Sequence, residues 1–274
     1  MTRLSALRFV AALPVVFGVC SPSLAQEIVW SQTLNLPKGL NLPDGISVDI
    51  LGISVGDSYE TVRARLEAIR AETPDAPPLE EREQQLFYNG GGGVISARYV
   101  GELRMTRTAP QTTRTEERIV VRFSAPASGS QVIAIERFLD TDDQAEQMRV
   151  GQLVEALTAK FGGTPDVMER GYLYRYQFDN GARTTAEGRY DCYDFAKTWK
   201  AENELSIINS KGGACDVLYE VWTGQGISED HTAGVTFAIY DNERAKANLA
   251  ADYAQFNAFV TEYQSSVGRA APAL

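Results

Sequence analysis

The chain has 274 residues, 44% of them hydrophobic, enough to build a packed core for one large domain or two ordinary ones. Its 36 acidic against 26 basic side chains leave a formal charge of −10, which argues against nucleic acid as a partner and suits solubility instead. A single histidine excludes metal sites built on paired imidazoles, and no cofactor motif is present.

The first 25 residues read as an address. Arg3 and Arg8 flank and enter an apolar run, Phe9 to Val19, which ends in Ser23-Leu24-Ala25. Small residues at −3 and −1 of a cut before Gln26 complete a secretory signal peptide, too short for a finished transmembrane helix. Cleavage would leave 249 residues and, with Arg3 and Arg8 gone, take the charge from −10 to −12. The expected location is therefore periplasmic or secreted, with no transmembrane segment after cleavage. Cys20 departs with the signal; Val19 directly before it argues against lipidation. Cys192 and Cys215 remain, an even pair in an oxidising compartment, and are expected to form one disulfide.

From Gln26 to Ile46 the chain reads as an extended arm. Leu34–Gly39 and Leu40–Gly45 form a doubled hexapeptide punctuated by Pro and Gly. A helix is predicted from Asp57, where Asp57 and Glu60 have capping-box spacing and Tyr59, Val62, Leu66 and Ile69 share a face. Thr73 to Glu83 reads as a loop or short exposed helix, and Gly90–Gly93 as a flexible break. Strands are predicted over Val94–Met105, Arg118–Ser124 and Gln131–Leu139, the last two as a hairpin.

Thr141 and Gln144 form a second capping-box pair ahead of an apolar stripe, Val150, Leu153, Val154, Leu157 and Phe161, which Gly162-Gly163 stops. Gly151 suggests two short helices joined there. Tyr172–Phe178 alternates as a strand, and Cys215–Thr223 with Ala233–Tyr240 reads as a hairpin. Asp241 or Asn242 then caps a final helix lined by Leu249, Tyr253, Phe256, Val260 and Tyr263, with a frayed tail from 266 to 274.

The two halves align. Val55–Leu66 matches Val150–Phe161 at four of twelve positions, each followed by antiparallel strands. The expected fold is α+β: tandem helix-plus-antiparallel-sheet repeats, residues 47–140 and 141–265, the second with a closing C-terminal helix. Gly151, Leu157, Phe161, Gly162 and Pro165 resemble the helix-entry motif of the SmpA/OmlA family, whose fold is similar to each half of the beta-lactamase-inhibitor proteins. That resemblance spans about 15 residues per copy. It implies a secreted, duplicated, non-catalytic binding scaffold and carries over no site residues.

Several constellations could carry chemistry. Gly52-Ile53-Ser54-Val55-Gly56 spells the G-x-S-x-G of hydrolase nucleophile elbows, between a possible strand, Ser47–Leu51, and a helix. A serine hydrolase would need Ser54 beside His231 and an acid; the hairpin-rich pattern argues instead for a turn into a helix. In Tyr172-Leu173-Tyr174-Arg175-Tyr176-Gln177-Phe178, alternation places Tyr172, Tyr174, Tyr176 and Phe178 on one sheet face, as core or as a binding surface. Tyr190, Tyr193 and Trp199 could extend such a surface. Arg98, Arg104, Arg107, Arg114, Arg118 and Arg122 stand against three acids, either a positive patch or a solvated face of cross-strand ion pairs. The function expected is a non-catalytic protein-interaction module of the bacterial envelope, using Tyr172, Tyr174, Tyr176, Arg98 and Arg104. The alternatives are a glycan or small envelope-ligand binder and a hydrolase using Ser54.

Overall fold

Ten described strands lie in one sheet, which the computed structural model presents for residues 26–36, 40, 42–73, 75–90, 93–169, 172–184 and 215–267. The fold is mixed α+β, mostly antiparallel, with three helices among the described residues. In chain order the elements are β1 (Gln26–Glu27), α1 (Tyr59–Ala71), β2 (Glu80–Gly90), β3 (Gly93–Thr108), β4 (Thr115–Phe123) and β5 (Val132–Thr141). There follow β6 (Met148–Arg149), α2 (Val150–Phe161), β7 (Val167–Glu169), β8 (Leu173–Asp179) and β9 (Ala182–Arg183). Last come β10 (Val217–Thr223), β11 (His231–Thr232), β12 (Gly234–Asp241) and α3 (Asn242–Val267). The strands run β2-β3-β4-β5-β12-β10-β8-β7, with β9 on β8 and β1 parallel to β3, while β6 and β11 pair separately.

Helix α1 starts one residue later than its capping-box spacing predicts, with Ser58 rather than Asp57 as its cap. Ser58 accepts from the Thr61 N–H at 3.3 Å, while the Asp57 carboxylate turns back to the Ser54 N–H at 2.9 Å. Ahead of it Ile50 and Ile53 exchange both backbone bonds around Leu51 (φ 56°) and Gly52 (φ 78°), a tight turn with two left-handed residues. Ser47–Leu51 forms no strand beyond that bridge. Val62, Leu66 and Ile69 then bury the inner side of α1.

Helix α2 is continuous through Gly151, so the expected break is absent there. The interruption lies upstream, where Asp143, not Thr141, caps a short 3-10 turn over Gln144–Glu146 by accepting from Ala145 N–H. Gly162 closes α2 in the left-handed region, φ 69°. The stretch from Thr73 to Glu83 is not wholly loop: β2 begins at Glu80. Its charged start, Glu80-Glu81-Arg82-Glu83, conceals a strand because an edge strand profits from charge that discourages further pairing.

Both α1 and α2 cover one face of the sheet. Val62, Leu66, Leu157 and Phe161 share a core cluster with Leu103, Ile119, Val121, Ile135, Tyr176 and Ile239. The opposite face carries α3, whose Ala245 and Leu249 sit with Ala134, Leu218 and Tyr240. Further along, Phe256 reaches Leu86, Ala97 and Ile28, so α3 and the arm close over β2 and β3. The arm is tied down: Thr33 N–H donates to Ala127 O at 2.7 Å, and Ser31 N–H to Gln255 at 3.2 Å. Asp241 caps α3, accepting from Arg244 N–H at 2.7 Å. No helix among the described residues is long and apolar enough to cross a membrane.

Candidate functional site

The three tyrosines are not presented together. Tyr174 and Tyr176 are buried under α2, and Phe161 stacks on Tyr176 at 4.1 Å between centroids. These two rings are core, because the β8 face that carries them is the face that the apolar stripe of α2 must cover. Tyr172 lies just ahead of β8, leaves that face, and stacks on Trp222 with centroids 6.0 Å apart. Leu173, Arg175 and Gln177, on the other face, are also buried. Cys215 is buried, and Cys192, Tyr190, Tyr193 and Trp199 lie outside the described residues.

The arginines disperse as well. Arg98 is exposed and 3.8 Å from Glu83, while Arg104 pairs with Glu102. Arg107 points the other way, into a buried triad: its Nε donates to Glu117 at 2.5 Å, Arg137 donates to the same carboxylate at 2.6 Å, and Arg107 Nη1 caps α1 at Ile69 O. The α3 side of the sheet instead carries a charged band. Arg122 bridges Glu136 at 2.7 Å and Glu102 at 3.5 Å, Tyr240 OH donates to Glu136 at 2.7 Å, and Arg175 pairs with Glu220. The alternating signs leave no continuous positive patch along this band.

Beyond that band, past the reach of the α3 contacts, the sheet opens among the described residues. Strand register places Trp222 opposite Thr236, Thr236 opposite Phe138, and Phe138 opposite Arg118. The next row on the same face sets Gly234 opposite Asp140 and Asp140 opposite Glu116. Together these residues line a trough of about 390 Å³. Its floor is β12, low because Gly234 has no side chain and Thr236 a short one. A Cβ on Gly234 would meet Asp140 Oδ1 at 3.3 Å, so glycine there makes room for the carboxylate. Its walls are Trp222 and Phe138, two strands apart and so about 10 Å from each other at the backbone.

Polar groups fix the walls. Trp222 Nε1 donates to Glu220 at 3.2 Å, and the Arg118 guanidinium lies 4.4 Å from the Phe138 ring centroid. Trp222 and Phe138 are half-buried, while Arg118, Glu116 and Asp140 are exposed. Alternation alone does not single out Trp222 and Phe138, since an isolated ring on a strand reads as core. Only the cross-strand register brings them to one place, with Tyr172 beside them.

The G-x-S-x-G stretch is accounted for by its turns. Gly52 and Gly56 both sit at positive φ, and the Ser54 amide is held by Asp57. His231 lies on β11, its Nδ1 2.9 Å from Ser228 Oγ. Around Ser54 the strands are antiparallel, unlike the parallel sheet that supports a nucleophile elbow. Among the described residues no group of three or more His, Cys, Asp or Glu side chains is placed to hold a metal ion. No protein-family model, curated protein or solved structure matches the chain.

Proposed function

We propose that this chain is an exported, non-catalytic protein-interaction module of the bacterial envelope, which holds its partner on the open end of the sheet. The carrying observation is the trough between Trp222 and Phe138. One sheet face is taken by α1 and α2 and part of the other by α3, yet two half-buried rings are left flanking a depression with a low floor. Aromatic side chains with a polar tip or a stacked cation, on a rigid sheet, are the usual anchors of protein interfaces.

A duplication underlies the scaffold. In its favour, α1 precedes the run β2-β3-β4-β5 and α2 precedes β7-β8-β10-β12, and the two runs meet edge to edge at β5 and β12 in mirrored order. Val62 and Leu66 align with Leu157 and Phe161 in the sequence match, and all four are buried on the same side of the sheet.

The test is capture of the partner from envelope extract by the purified mature chain. Trp222→Ala is expected to lose the partner that the wild-type chain retains while still unfolding cooperatively, at a lower temperature because the ring stacks on Tyr172. Retention by that variant would place the interface elsewhere. Export is tested by sequencing the N-terminus of protein recovered from the periplasm, with Gln26 expected first.

A further inference from the structure

Two exposed carboxylates face each other where a sheet ordinarily avoids them. Glu116 on β4 and Asp140 on β5 are direct cross-strand partners, and like charges so placed repel. Among the described residues neither side chain has an ion pair or hydrogen bond, although the same sheet pairs Glu102, Glu117, Glu136 and Glu220 with arginines. The nearest cation along β4 on this face, Arg118, is spent on the Phe138 ring instead. Beside the two carboxylates lies the trough, with Trp222 across a floor one strand wide.

We infer that this trough seats an arginine side chain from a basic segment of the partner protein. The inference rests on the interaction reading above and names the chemistry of its central contact. Walls carried on strands about 10 Å apart at the backbone leave room for one planar group stacked against a ring, and guanidinium is the planar cation of proteins. Its fork then reaches Asp140 with two parallel hydrogen bonds, while Glu116 supplies the second negative charge. The formal charge of the whole chain, −10, favours encounter with a basic segment. A neutral glycan would also stack on Trp222, but it would leave the Glu116–Asp140 repulsion in place. A cation removes it.

The experiment is a nuclear magnetic resonance titration of the mature chain with three probes: a capped tri-arginine peptide, the neutral tri-citrulline peptide of the same shape, and chitotriose. The expected result is saturable movement of the Trp222 indole N–H and the Phe138, Asp140 and Gly234 amides with tri-arginine alone. In the double variant Glu116→Gln, Asp140→Asn, affinity for tri-arginine should fall about tenfold, as for loss of one charge-assisted pair. Both side chains are exposed and, among the described residues, unpaired, so the variant should fold, with a melting temperature no lower than wild type. An equal response to citrulline, an unweakened double variant, movement with chitotriose alone, or no movement with any probe overturns the inference. Partner capture separates this from the broader reading. If the double variant still captures the partner while Trp222→Ala does not, the arginine seat is wrong and the interface stands. If Trp222→Ala captures it too, both fall.

Discussion

Phe161, at the end of α2, lies over Tyr176 of β8 with the two ring planes 24° apart. The stack joins helix to sheet at a point where both side chains are almost wholly buried, and Tyr219 packs against Phe161 at 4.9 Å. Truncating Phe161 to alanine therefore opens a cavity in the middle of the core. The expected cost is about 3–5 kcal/mol in urea unfolding. Tyr176→Phe keeps the ring and loses the hydroxyl's bonds to Gly163 O, at 3.4 Å, and to the Thr158 side chain, so about 1 kcal/mol is expected. Equal costs for the two variants would mean that the stack does not anchor α2.

Much of this architecture is legible in the residues. Helices α2 and α3 and strands β3, β4, β5, β8, β10 and β12 follow from apolar spacing, because each has one face that must be buried. Strand β2 escapes that reading since its first half faces outward as an edge, and only pairing with β3 reveals it. The tyrosine alternation is read correctly as a strand but does not say which face is covered. That depends on where α2 docks, a tertiary fact. The trough is invisible for a related reason: Trp222, Phe138 and Glu116 lie on β10, β5 and β4, and the two predicted hairpins carry no sign that β12 pairs with β5.

Glu117 is fully buried and holds both Arg107 and Arg137. Replacing it with alanine takes the shared carboxylate from two guanidinium groups, the buried one keeping only Glu72 and Ile69 O among the described residues, and is expected to cost about 3 kcal/mol. The exposed pair Arg63–Glu81, at a similar distance of 2.7 Å, should cost under about 1 kcal/mol when Glu81 is truncated. Denaturant midpoints of the two variants make the comparison, and similar losses would show that burial of the triad is not what matters.

Cys215 sits buried at the entry to β10, and we expect it to be bonded to Cys192 in the exported protein. Unreduced, denatured mature chain should then show no reactive thiol toward a chromogenic disulfide reagent, and two after reduction. Two thiols before reduction would refute the pairing. Cys215→Ser should lower stability by roughly 3 kcal/mol, the chain-entropy estimate for a loop of that length.

Glu146 clasps the β3–β4 turn from outside. Its carboxylate accepts from the Thr113 and Arg114 amides at 2.7 and 3.2 Å and from the Thr115 hydroxyl at 2.7 Å. These bonds, the Thr113 amide foremost, pull its pKa down to about 2. A depressed carboxylate stabilises the fold above its unfolded pKa and loses that contribution as pH falls toward 2. The Thr113 amide resonance should therefore titrate with a midpoint near 2, and Glu146→Ala should speed hydrogen exchange at Thr113 and Arg114. An unchanged exchange rate would show that the clasp does not order the turn.

Asp252 works in the opposite direction. It lies on the inner side of α3, accepting from Ala125 N–H at 3.0 Å and from Ser128 Oγ at 2.9 Å, and burial drives its pKa up to about 7 despite those bonds. The folded state thus binds a proton more tightly than the unfolded chain, whose carboxyl titrates near 3.8. Its contribution is complete below the unfolded pKa and drains away as pH climbs through about 7, by on the order of 4 kcal/mol. Unfolding free energy should consequently slope downward across that window, and Asp252→Asn should flatten the slope. Some slope should survive in the variant, because burial pushes Asp241 upward too. If wild type and variant run parallel between pH 4 and 7, Asp252 is ionised in the folded chain, and its two donor contacts outweigh its burial.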